Sequence, residues 1–158
     1  MDFTHPVASE KISSGYGFRK DPFTKKVTWH KGLDYAVPTG TKVFPSLGGI
    51  VENIENSPSY GLKILLDHGS GIKTLYAHLD KSLVNVGDYV SQDTPIAFSG
   101  NSGTSTGSHL HFEIYINKNN VDPKKYLKLP PKPTNQPTQQ KNIFPLIIIG
   151  GILFYLYK

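Results

Sequence analysis

Apolar residues along this chain recur in short alternating runs rather than at helical spacing. Lys42–Phe44, Gly49–Ile54, Lys63–Asp67, Lys73–His78, Asp88–Val90, Pro95–Ser99 and His109–Ile116 are each apolar or alternating, with Gly, Pro, Asn or Ser at nearly every join. This punctuation predicts an all-β fold: an antiparallel β-sheet of sandwich-like or barrel-like form. The pattern contains no convincing amphipathic helix and no internal repeat. Its most informative run is Ser108–Glu113. A period of two places His109, His111 and Glu113 on one strand face and Leu110, Phe112 and Ile114 on the other. A strand that buries its apolar face and turns two imidazoles into a cleft suits a metal and a proton-transfer group.

Earlier segments supply partners. His30 and Asp34 are four residues apart, a spacing that puts both on one face of a helix or a strand. Gly32 and Pro38–Thr39–Gly40 disfavour the helix, so an extended segment is expected, with Leu33, Tyr35 and Val37 opposite. Ile12–Arg19 reads as a glycine-rich turn and Lys20–Thr28 as a polar loop. His78 ends the Lys73–His78 strand. The small-residue loop Asn101–Ser108 feeds the His109 strand and lets backbone approach a ligand closely. His5 and His68 read as structural.

Composition narrows the chemistry. There is no cysteine, so a disulfide framework and thiolate ligation are excluded, and any zinc must use His, Asp or Glu. The formal charge of +5 is unevenly placed. Residues 1–127 hold 13 Lys and Arg against 12 Asp and Glu, whereas residues 128–158 hold four Lys and no acid. A nearly neutral folded part argues against a nucleic-acid partner, and the basic tail suits an anionic membrane surface.

The tail changes character twice. Lys128–Lys141 is rich in Pro, Gln and Thr and reads as a linker. Ile143–Tyr157 is an apolar run between Lys141 and Lys158. Fifteen helical residues would reach about 22 Å against a hydrocarbon core of about 30 Å. Snorkelling of the flanking lysines and local thinning close that gap. The expected organisation is a folded domain over 1–127, a linker over 128–141 and an apolar helical membrane anchor over 142–158.

His30, Asp34 and His111 together offer three nitrogen or oxygen ligands and leave a fourth position open, the layout of a catalytic rather than a structural zinc site. His109 and His78 are then candidates for general base and transition-state stabiliser. With this set, the sequence resembles the lysostaphin-type (LytM or M23) zinc peptidases. The resemblance is carried by ISSGYGFR (12–19), HKGLDYAVPTGTKV (30–43), GGIVENI (48–54), YGLKILLDHGSGIKTLYAHL (60–79), VNVGDYVSQDTPIAFSGNSGTSTGSHLHFEI (84–114) and Asp122–Pro123. Lys25–Lys26, Pro45 and Gln92–Asp93 depart from the family's usual small residues, all outside the five key positions.

The resemblance implies a single Zn2+ held by His30, Asp34 and His111, with His78 and His109 as the catalytic pair. His109 is then the base, and His78 stabilises the oxyanion. It implies endopeptidase cleavage of bacterial peptidoglycan, water attacking a peptide carbonyl and a proton passing to the leaving amine. Glu113 is read as a carboxylate behind the ligands or on the sheet surface, and Arg19 as a residue shaping the groove. Loops Ser57–Tyr60 and Asn101–Ser108 are expected to set which bond is cut. Met1–Glu10 does not read as a secretory signal. Together with the apolar tail this leads to the expectation of a bacteriophage virion-membrane protein, with other virion proteins among its expected partners, that opens the host wall during entry or lysis. The bacterial cell membrane is the alternative location. A non-catalytic wall-binding or assembly protein of the same fold is the alternative function.

Overall fold

The computed structural model describes residues 2–129. The expected linker beyond Leu129 and the expected anchor over 142–158 lie outside the described residues. Fourteen strands follow one another along the described chain: β1 (Phe3–Thr4), β2 (Ile12–Ser14), β3 (Gly17–Lys20), β4 (Val27–His30), β5 (Leu33–Tyr35), β6 (Lys42–Val43), β7 (Gly49–Ser57), β8 (Gly61–Asp67), β9 (Ile72–Ser82), β10 (Tyr89–Val90), β11 (Ala97–Ser99), β12 (Leu110–Ile116), β13 (Asn119–Val121) and β14 (Leu127–Leu129). A single 3-10 turn, Pro123–Lys125, is the only helical element among the described residues. It starts on Asp122, whose carboxylate accepts from the Lys124 amide, and carries Pro123 where a missing N–H costs nothing. Among the described residues, no helix is long and apolar enough to cross a membrane. The all-β expectation holds.

Most strands form one ten-stranded sheet whose main path runs β10-β7-β8-β9-β12-β5-β2, with β6, β11 and β13 attached at its margins. Its pairings are antiparallel. β12 is central, with β9 on one side and β5 on the other. This makes His111 the register partner of both Ala77 and Asp34. The expected alternation in β12 is present on its apolar face. Leu110, Phe112 and Ile114 are fully buried in a core shared with Leu33, Tyr35, Ile64, Leu66 and Tyr76. Burying each such side chain contributes roughly 1.5–3 kcal/mol.

Two local pairings differ from expectation. The segment Lys20–Thr28 is not loop throughout. β3 and β4 form a separate antiparallel hairpin in which Phe18 lies opposite Trp29. Their rings meet edge to face at 4.8 Å, and this cross-strand pair holds the hairpin although Phe18 remains 78% exposed. Lys128 and Leu129 belong to β14, which pairs in parallel with β1 and ties the two ends of the described chain together.

Candidate metal centre and catalytic groove

His30 ends β4 and Asp34 lies in the middle of β5, so the two sit on strands of different sheets rather than on one continuous extended segment. The crossing between them passes over β12, and glycine makes it possible. A β-carbon on Gly32 would lie 2.3 Å from the Phe112 carbonyl oxygen and 2.9 Å from His111 Cε1. Gly32→Ala is therefore expected to destabilise the protein by about 1–3 kcal/mol and to weaken metal uptake, because relief of the overlap moves His30 and His111 apart. A thermal melt and a metal titration check both effects; an alanine variant indistinguishable from wild type in both would contradict this packing.

The three ligand candidates converge. His30 Nε2 lies 3.1 Å from Asp34 Oδ1 and 3.1 Å from His111 Nδ1, and His111 Nδ1 lies 2.7 Å from Asp34 Oδ1. All three residues are buried. Edges near these lengths suit a tetrahedral zinc site, whose bonds of about 2 Å give ligand separations near 3.3 Å. Two imidazole nitrogens and one carboxylate oxygen also match zinc in donor type. The residues present therefore fit the metal.

Asp34 is held well below the usual carboxylate range. Burial pushes it up, but the hydrogen bond from His111 and the close approach of His30 outweigh that. Its other oxygen, Oδ2, faces Arg19 Nη1 at 3.4 Å, and that same nitrogen donates to Ser14 Oγ at 2.9 Å. Arg19 thus touches a ligand residue directly as well as lining the groove.

Each histidine has one ring nitrogen anchored away from the centre. His30 Nδ1 donates to the Gly15 carbonyl at 2.7 Å, His78 Nδ1 to the Ser102 carbonyl at 2.7 Å, and His109 Nδ1 to the Gly107 carbonyl at 2.8 Å. A carbonyl oxygen only accepts, so these nitrogens carry the proton and leave each neutral Nε2 with a free lone pair. His111 is turned the other way: Nε2 faces Glu113 Oε1 at 2.8 Å, and Nδ1 points inward.

Burial by itself would lower the His111 pKa; its hydrogen bonds to Asp34 and Glu113 more than offset this and raise it to about 9. In the absence of metal, a proton on His111 Nδ1 holds Asp34. Metal uptake must displace it. At neutral pH, zinc binding is expected to release about one proton, with affinity rising about tenfold per pH unit until the His111 pKa of about 9 is reached. Calorimetry in buffers of different ionisation enthalpy measures this, and zero proton release would contradict it.

His109 and His78 stand beside the triad, their rings 4.5 Å apart. His109 precedes β12 by one residue, bridged to Gly100, and its Nε2 lies 3.8 Å from Asp34 Oδ1. His78 sits at a bulge in β9: Leu62 opposes Leu79 and Ile64 opposes Tyr76, so β9 carries one extra residue. Its φ of +59° is unusual for a non-glycine residue, and the bulge turns its ring to the groove between the buried Ala77 and Leu79. Burial, with the neighbouring His109 and His111 adding to it, lowers the His78 pKa to about 4 against the raising effect of the Ser102 carbonyl. His78 is therefore neutral at neutral pH. With Nδ1–H committed to Ser102, it stabilises negative charge only after taking up a proton at Nε2.

Trp29 and Phe23 line the same groove, as do Tyr60, Thr104 and Thr106 from the two loops expected to set specificity. They approach so closely that a β-carbon on Gly61 would lie 2.2 Å from Ser102 Oγ. Ser102 Oγ in turn bonds the Leu79 carbonyl and the Leu62 amide, so one serine fixes both the wall and His78. His5 and His68 lie away from the groove, bonded to Tyr35 and to Gly48 and Thr74.

Sequence pattern did not single out Tyr60, Ser102, Ser105 or the carbonyls of Gly15 and Gly107. The available signal was the small-residue loops beside each histidine, whose backbone supplies the anchors. Glu113 shares the histidine face as expected, but it is fully buried, not at the sheet surface. Burial raises its pKa, and the hydrogen bonds from His111, Tyr115 and Tyr60 bring it below the ordinary value.

Comparison with known proteins places this geometry. The description Peptidase family M23 matches residues 28–123. Peptidoglycan DD-endopeptidase ShyA of Vibrio cholerae is 42% identical over 114 residues, 71% of this chain and 26% of ShyA. The chain therefore spans about a quarter of that relative's length. A zinc-containing peptidase from Vibrio cholerae superposes with a TM-score of 0.71 at 37% identity, covering 82% of this chain and 41% of the other. The catalytic domain of the prophage-encoded M23 protein EnpA from Enterococcus faecalis, as an A109H mutant, gives 0.68 at 27% identity, covering 78% and 96%.

Proposed function

The chain belongs to peptidase family M23, and on that footing we propose that it is a zinc-dependent endopeptidase that hydrolyses peptide bonds in bacterial peptidoglycan. The relatives named as DD-endopeptidases support a DD cross-link as the bond. The observation that carries the reading is the convergence of three inward donor atoms beside two histidines whose Nδ1 atoms are each held by a backbone carbonyl.

His30, Asp34 and His111 would hold the ion. Once bound, it supplies Lewis acidity to the scissile carbonyl and to the attacking water. The chain's own groups manage the protons. His109, anchored through Nδ1 to Gly107 and Ser105, presents Nε2 as the general base and takes the proton released when water adds to the carbonyl. The same proton then passes to the leaving amine as the C–N bond breaks, giving one new carboxylate and one new amine. As negative charge grows on the tetrahedral carbon's oxygen, His78 takes up a solvent proton at Nε2, donates a hydrogen bond to that oxygen, and returns the proton to solvent as the carbonyl re-forms. Arg19 holds Asp34 Oδ2, so that Oδ1 stays turned to His30 and His111, with which it would hold the ion.

Purified cross-linked muropeptide dimers test the reading: conversion to monomers by the zinc-loaded full chain is expected. Intact dimers in the presence of stoichiometric zinc would overturn it.

We also propose that residues 142–158 tether the enzyme to a membrane through the linker before them, on a bacteriophage virion. The apolar run Ile143–Tyr157 and the prophage origin of one structural neighbour support this. Detergent-dependent extraction of the full chain, and its presence in purified particles, are the expected results; absence from the particles would remove the virion location.

A further inference from the structure

Three of the four groove histidines are anchored by neutral backbone carbonyls, and the fourth is not. His111 Nε2 meets a fully buried carboxylate, Glu113. The surroundings of that carboxylate are all donors. Oε1 accepts from His111 Nε2 at 2.8 Å and from Tyr60 OH at 2.8 Å; Oε2 accepts from Tyr115 OH and, at 3.4 Å, from Asn120 Nδ2. Burial, then the charge of Glu113, keeps both tyrosine hydroxyls protonated.

Sheet geometry does not require this anion. Glu113 lies opposite Leu75 in the β9 register, where an apolar side chain would pack without desolvating a charge. What the carboxylate does uniquely is act on His111. It takes the Nε2 proton, so that Nδ1 is the nitrogen facing Asp34 and His30. An imidazole donating to a carboxylate is also a stronger electron donor at its other nitrogen. Tyr60 closes the arrangement from the groove side, its ring 5.6 Å from that of His111.

We propose that Glu113, clamped by Tyr60 and Tyr115, is a positioning residue for the metal centre: it fixes His111 with Nδ1 inward and strengthens that nitrogen as a ligand. The proposal rests on the zinc-peptidase reading and deepens it.

The test uses Glu113→Gln in the full chain. Glutamine keeps the volume and an oxygen to accept from His111, removes the charge, and turns its amide nitrogen to Tyr115 and Asn120. Zinc affinity is read by competition with a chromophoric chelator, without peptidoglycan. The expected result is a loss of about 10–100-fold. Unchanged affinity in a folded variant would overturn the proposal. If the variant does not fold, the wild-type chain still decides: nitrogen–proton correlation NMR of the zinc-loaded protein should show His111 protonated at Nε2 and metal-bound at Nδ1. The reverse assignment would overturn it. Because these readouts need no substrate, a chain that binds zinc this way yet leaves peptidoglycan intact would remove the peptidase reading and leave Glu113's role standing.

Discussion

Replacing His109 with alanine is expected to lower hydrolysis of peptidoglycan cross-links by about 10²–10⁴-fold, the usual contribution of a general base, while zinc stays bound. The separation of the two effects follows from geometry. His109 is not one of the three converging donors, and its Nε2 stays 3.8 Å from Asp34 Oδ1. Its anchors, the Gly107 carbonyl and Ser105 Oγ, lie on its own loop, so their loss leaves β12 and His111 in place. Rate constants at saturating substrate, with zinc content measured on the same samples, check this. A variant that keeps its rate would transfer the base to His78, whose lowered pKa leaves it unprotonated at neutral pH.

Asp34→Asn should have the broader effect, removing both metal and activity. Asparagine matches the volume but cannot offer the charge that balances His111 at 2.7 Å and Arg19 at 3.4 Å. Hydrolysis should fall to background at equimolar zinc. Stability should also fall, because the buried His111 loses one of its two carboxylate partners and keeps only Glu113.

The pH window of that stability follows from the two shifts. Asp34 titrates below its ordinary value, so its contribution is present above about pH 4 and fades as acid protonates it. His111 titrates near 9, above its unfolded value of 6.5, so its contribution is complete below pH 6.5 and is lost as pH rises through about 9. The wild-type advantage over Asp34→Asn, measured by denaturant melts of chelated protein, should therefore be greatest between about pH 4 and 6.5. An advantage that kept growing above pH 9 would contradict the pairing.

The long strands were legible because apolar side chains recur along them at every second position, although both faces of β12 and of most of β9 are buried. β12 and β9 carry unbroken apolar faces, and the structure extends the expected Lys73–His78 to Ile72–Ser82. The hairpin of β3 and β4 escaped because both its faces meet water or the groove: Val27 is 72% exposed and Trp29 48%. No period of burial marks such a strand. β1 and β14 pair across more than a hundred residues, and neither has a local turn signal to announce it. The site's residue types and spacings were readable, since His30, Asp34 and His111 occupy motifs that differ from ordinary strand composition. Their geometry was not. The positive φ of His78 depends on a bulge fixed by β8, and the burial of Glu113 depends on Tyr60, which lies 53 residues away along the chain.

Digestion of purified peptidoglycan sacculi by the full chain, with and without a chelator, tests the central claim most directly when the released fragments are weighed by mass spectrometry. The account predicts fragments carrying a new amine terminus, abolished by the chelator and restored by added zinc. Sacculi left intact by a chain that has taken up its zinc, or release that persists under chelation, would contradict it.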